Sequence, residues 1–199
     1  WLRNTLSLVL ALVLVCVTAI SVTVAAYYYS NLEAGMESKA RASTSFFENY
    51  IGQSYNEFYR SCARFAQTFE SKDVMELQFI NTNNRLVASS FGRFTAKTSV
   101  TSDITNAVAT KQISSFTGVN PSTGERIMAV SSPLIYSNGE VIGVLRYVTS
   151  LKKVDRQILI FSVVVALVGA VILLIVYVSG KYYIKSILVP VAEITSVAK

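Results

Sequence analysis

Arg126, Arg146 and Tyr147 are the side chains with the clearest capacity to hold a ligand. Each falls in a stretch of strand-like alternation, where hydrogen-bond donors can stand over a sheet. A solvated strand face explains them equally well. Catalytic chemistry is harder to assemble. The chain has no histidine, which removes Ser-His and Cys-His nucleophiles, imidazole metal ligands and a phospho-accepting histidine. Its 9 glycines are scattered rather than gathered into a phosphate loop. No acidic cluster has the spacing of a calcium loop. No catalytic residue and no metal ligand is assigned. Cys16 lies in an apolar run. Cys62 reads as a small core residue, with a bridge between two copies as the alternative.

The elements that must position these residues begin with residues 158–178, ILIFSVVVALVGAVILLIVYV, which carry no charge and one polar side chain, Ser162. At ~1.5 Å per residue such a helix reaches across a hydrocarbon core of ~30 Å. Each Asp, Lys or Arg placed at mid-bilayer would cost roughly 2.5–3.5 kcal/mol, so the lack of charge is informative. A buried helix of a large soluble protein is the alternative, but its core would need a much longer chain than 199 residues. A second apolar run, residues 6–27, ends in Tyr27 and continues into Tyr28 and Tyr29, rings suited to a headgroup zone. It is longer than the apolar part of a signal peptide, the competing reading, and lacks a clear cleavage site. Spans are therefore expected at 5–29 and 158–179. Both chain ends then lie on one side of a bilayer and the intervening domain on the other. Basic residues flank both ends of the spans, so charge alone does not orient them. The sequence starts at Trp1 and stops at Lys199 within a helical pattern, and reads as a piece of a longer protein.

Between the spans, residues 30–157 read as an α+β domain. Residues 30–71 are expected to form one long helix. Phe47, Ile51, Tyr55, Phe58, Cys62, Phe65 and Phe69 recur on one face of it at three- and four-residue steps. This stripe can pack on the domain's own sheet; the small-residue segment 34–42 can instead form a seam with a second copy. Residues 74–90 switch to period two around the turn residues Asn81 to Asn84, which predicts a hairpin. A short helix is expected over 101–111, with Thr101 or Ser102 as its cap and Asp103 in its first turn. Strands follow at 112–119, 126–136 and 140–149, the last two joined through the hairpin signal Asn138-Gly139. Fewer than ten residues separate that strand from the second span.

The segment TGVNPSTGERIMAVSSPLIYSNGEVIGVLRYVTSLKKVDR, residues 117–156, resembles the second half of a PAS-like, single-Cache extracytoplasmic domain of bacterial sensor kinases. The ELQFINTNNRLVASS stretch at 76–90 and the long leading helix resemble its first half. Tyr55 and Arg60 have the spacing that opens an amino-acid-binding motif of double-Cache receptors. Ser61 and Cys62 stand where that motif needs tryptophan and tyrosine, so it is not assigned. Residues 180–199 are similar to the opening of a HAMP domain: Pro190 suits a helix's first turn, and Ile194 follows among heptad-like apolar steps. A plain amphipathic helix is the alternative.

The fold that these resemblances imply is a PAS/Cache-like antiparallel sheet with a long N-terminal helix, flanked by two transmembrane helices. The implied function is the input part of a two-component sensor histidine kinase in a bacterial cell membrane, with residues 28–157 outside and both termini in the cytoplasm. A homodimer is expected, with Pro190 and Ile194 transmitting the signal. The bilayer and an unknown extracellular ligand are partners, as is a response regulator acting through the cytoplasmic part beyond residue 199. ATP and Mg would belong to that part and no cofactor to these residues, so whether the parent is an enzyme rests on the resemblance. A mild basic excess gives no ground for nucleic acid. Alternatives are the input half of a chemoreceptor or cyclic-nucleotide enzyme, and a membrane anchor whose outer domain binds a partner.

Overall fold

The computed structural model describes residues 2–48, 54–92 and 100–183. In chain order the elements are α1 (Leu2–Glu48), α2 (Tyr55–Gln67), β1 (Glu76–Asn81), β2 (Leu86–Ser89), α3 (Ser102–Thr110), β3 (Ser114–Val119), β4 (Arg126–Ile135), β5 (Val141–Ser150) and α4 (Lys152–Tyr183). They fall into two compact units. Tyr28–Val154 forms one; the residues up to Tyr27 and those from Asp155 onward form the other.

Within Tyr28–Val154 the expected α+β architecture is present. The strands form one antiparallel sheet in the order β2-β1-β5-β4-β3, which makes β5 central, between β1 and β4. The β4–β5 hairpin turns where the sequence placed it. Gly139 adopts φ 82°, a left-handed conformation open to glycine, and the Tyr136 N–H donates to the Glu140 carbonyl at 2.8 Å. Gly143 is required for a different reason. A Cβ there would lie 2.7 Å from the Ile80 carbonyl oxygen of β1, closer than a side chain tolerates.

The leading helix departs from the single helix expected over 30–71. α1 ends at Glu48, and α2 begins anew after Ser54, whose φ −63° and ψ 150° are extended rather than helical. The Ser54 carbonyl accepts from the N–H groups of Glu57 and Phe58, both at 3.0 Å, and so opens the second helix. Ile51 of the predicted stripe lies outside the described residues.

Antiparallel register sorts the side chains by face. Leu77 pairs with Tyr147 and Phe79 with Leu145, and these residues turn to the helical side. There they pack with Met36, Ala40 and Phe47 of α1 and with Phe58, Cys62 and Ala66 of α2. Phe47 is fully buried at the centre, its ring 5.1 Å from those of both Phe65 and Phe79. Burying such side chains is worth roughly 1.5–3 kcal/mol each. Polar bonds fix α1 to the sheet as well: Ser43 and Tyr147 share a hydrogen bond of 2.8 Å, and Thr44 donates to Ser132 at 2.8 Å.

The second unit holds the apolar parts of α1 and α4, both long and apolar enough to cross a membrane. Gly169 of α4 is buried against α1: a Cβ there would come 2.8 Å from Val13 Cγ1. A small residue thus permits close helix approach where lipid supplies no hydrophobic drive between helices. The hydroxyls of Thr18 and Thr23 donate to the Leu14 and Ala19 carbonyls at 2.9 and 2.8 Å, so neither is left bare in an apolar setting.

Candidate functional site

On the face of the sheet opposite α1 and α2, register lines up Gln78 of β1, Arg146 of β5 and Ser131 of β4 in one row. A sheet face with an arginine at its centre needs a counter-charge, and α3 brings one. Asp103, in the first turn of α3, is fully buried and accepts from Arg146 Nε at 2.7 Å through Oδ2. The Ser131 hydroxyl donates to the same oxygen at 2.7 Å. Arg146 Nη2 donates to Thr101 Oγ1 at 2.7 Å and to Asp103 Oδ1 at 3.4 Å, while Nη1 reaches Gln78 Oε1 at 3.3 Å. The hydroxyl of Thr101, the cap residue of α3, donates a hydrogen bond to Asp103 Oδ1. Arg146 is 3% exposed, so the pair is out of water and depends on this network for compensation. Apolar contacts finish the docking of α3, with Ile104 packed on Ile80 and Val144.

Beside the pair a recess of about 560 Å³ opens on the same face. Ile127, Val148, Met75 and Leu86 give it apolar walls. Gln78, Asn120, Thr149 and the edge of Arg146 are polar, and Lys72, Asp73, Glu76 and Glu125 add charge. A cleft of about 610 Å³ elsewhere on the domain is lined by Arg41, Thr44, Lys111 and Ser132 among others. Among the described residues no group of three or more His, Cys, Asp or Glu side chains is placed to hold a metal ion.

The three candidate ligand contacts from the sequence are thereby separated. Arg146 borders the recess. Tyr147, its neighbour on β5, points to the opposite face, bonds to Ser43 and packs its ring 5.7 Å from that of Phe69. Burial raises the Tyr147 phenol above its ordinary value, and the Ser43 bond partly offsets this. Arg126 is exposed at the start of β4, where its carbonyl accepts from the Leu151 N–H at 2.9 Å. Pro190 and Ile194 lie outside the described residues. Cys62 sits in the helix-side core, where burial pushes its thiol up to about 12. Sequence reading missed Asp103 as a site residue, along with Gln78 and Ser131. Strand alternation and the first-turn position of Asp103 were visible; the register that joins them was not.

Residues 63–149 match the sequence family described as the WalK sensor protein kinase Cache domain. No curated protein matches the chain. Among solved structures, the chain resembles the sensory domain of the Campylobacter jejuni chemoreceptor Tlp3 with isoleucine bound. The TM-score is 0.57 at 12% identity, over 78% of this chain and 66% of that one. It also resembles the ligand-binding domain of the Pseudomonas aeruginosa PAO1 amino-acid chemoreceptor PctC in complex with GABA. Here the TM-score is 0.51 at 17% identity, over 70% of this chain and 65% of that one. The chain thus spans just under two thirds of the length of each, and at these identities the likeness shows a common fold.

Proposed function

We propose that this chain, whose residues 28–154 form a Cache-like sensor domain, is the signal-input part of a transmembrane sensor histidine kinase. The observation that carries it is the match of residues 63–149 to the Cache domain of a sensor kinase, in a chain where that domain sits between two membrane-length apolar helices. β5, the central strand that carries Arg146, ends at Ser150, and α4 begins at Lys152. A change on the sheet therefore has almost no slack to absorb it before the second span. The domain lies outside the cell, both termini are cytoplasmic, and two copies act together.

An extracellular small molecule binds the outer domain, as isoleucine and GABA bind those of the two chemoreceptors. Such a ligand shifts the equilibrium only if it binds two domain states unequally. The bias then passes through the second span to a HAMP helix holding Pro190 and Ile194. A cytoplasmic kinase, using ATP and Mg, phosphorylates a response regulator. A second reading, the input half of a chemoreceptor, draws on the likeness to chemoreceptor domains.

The test is incubation of membrane vesicles carrying the full-length parent protein with radiolabelled ATP and magnesium. Acid-labile label on the parent that chases to a response regulator is the expected result. In a parallel incubation with labelled S-adenosylmethionine and a methyltransferase, methyl-group incorporation without phosphorylation would transfer the chain to the chemoreceptors.

A further inference from the structure

We propose that Asp103 sets the specificity of the recess by excluding carboxylate ligands, because it already occupies the guanidinium that such a ligand would need. This rests on the proposed function and takes the recess beside Arg146 as the place where the small molecule binds. Arg146 is the cation at the centre of the sheet face, and it borders the recess. A free arginine there would be a receptor for a carboxylate, through two parallel N–H donors. Here Nε and Nη2 are both directed at Asp103, at 2.7 and 3.4 Å, and the Asp103 carboxylate is closed off from solvent. Thr101 and Ser131 hold that carboxylate from its other sides. The pair presents no net charge to the recess.

The remaining charged lining opposes an anion too. Lys72 stands against Asp73, Glu76 and Glu125, and its ammonium donates to the Gln67 carbonyl at 2.7 Å. An incoming carboxylate would have to displace Asp103, leave it buried without a partner, and face three carboxylates at the rim. A neutral or cationic molecule meets none of these penalties. It finds apolar walls at Ile127 and Val148 and hydrogen-bonding groups at Gln78 and Asn120. The recess therefore takes a ligand with hydroxyl, amide or amine groups and no free carboxylate.

The test removes the internal carboxylate from the full chain in detergent and offers a small one back. Asp103→Ala and Asp103→Ser unfold at lower temperature than the parent, and formate or acetate raises their midpoints saturably by several degrees. Formamide, a neutral molecule of the same shape, and chloride at equal ionic strength do not. The unaltered chain shows no saturable shift with formate, acetate or glycine. Failure of both variants to recover in formate would overturn the proposal. So would saturable binding of a carboxylate to the unaltered chain that Arg146→Gln abolishes. Neither readout involves phosphorylation, so the kinase assay above can succeed or fail independently.

Discussion

Arg146 on the central strand and Asp103 on a short helix, 43 residues apart in sequence, meet at 2.7 Å with 4% and 0% of their side chains exposed. The pair closes α3 onto the sheet. It also determines what the neighbouring recess can hold.

Removing one member should be far more damaging than replacing both. Asp103→Leu leaves a buried guanidinium without its counter-charge, at a cost of about 3–5 kcal/mol. Asp103→Leu combined with Arg146→Met removes both charges and should cost less than the sum of the single changes. Denaturant titration of the four proteins, followed by tyrosine fluorescence, measures the coupling. Simple additivity would show that the two side chains do not act as a unit.

The aromatic core gives a second expectation. Phe47→Ala removes a fully buried ring that joins α1 to α2 and β1. A loss of about 3–5 kcal/mol is expected in thermal unfolding. Phe46→Ala, at a ring 45% exposed, should cost clearly less.

Cys62 makes a prediction about pH. Its thiol rises from an ordinary value of 9.0 to about 12 in the folded domain. A raised folded value contributes stability that is fully present below pH 9 and is lost as pH climbs toward 12. The unfolded chain releases the Cys62 proton first across that window, so Cys62→Ala should flatten the fall in stability there. At pH 8 the folded thiol should react with iodoacetamide orders of magnitude more slowly than the unfolded one. Equal rates for folded and unfolded chains would contradict this burial.

Tyr147→Phe retains the ring packed against Phe69 and deletes the 2.8 Å bond to Ser43. A loss of about 0.5–1.5 kcal/mol is expected, and Ser43→Ala in the same protein should add little further. Because Tyr147 faces away from the recess, the substitution should leave ligand binding there intact.

The strands were legible because alternation and Asn138-Gly139 are local signals, and each expected strand is found within about two residues of its place. The break between α1 and α2 was not, since helix formers and the aromatic stripe continue past Glu48 while the chain restarts at Ser54. Part of the site could have been read better. Arg146 and Tyr147 are adjacent on a strand, and successive side chains on a strand point to opposite faces, so they do not line one pocket. Asp103 was beyond reach: its partner depends on the docking of α3 and on a register that places Gln78, Arg146 and Ser131 in a row.

The most direct measurement for transmembrane signalling is disulfide crosslinking in native membranes. Single cysteines would be scanned through residues 34–42 and 186–198 of the parent protein, after Cys16 and Cys62 are replaced. Helically periodic crosslinks between copies in both windows are expected of a parallel dimer joined through the membrane. Crosslinking at background level in both would contradict a paired receptor and favour a monomeric anchor.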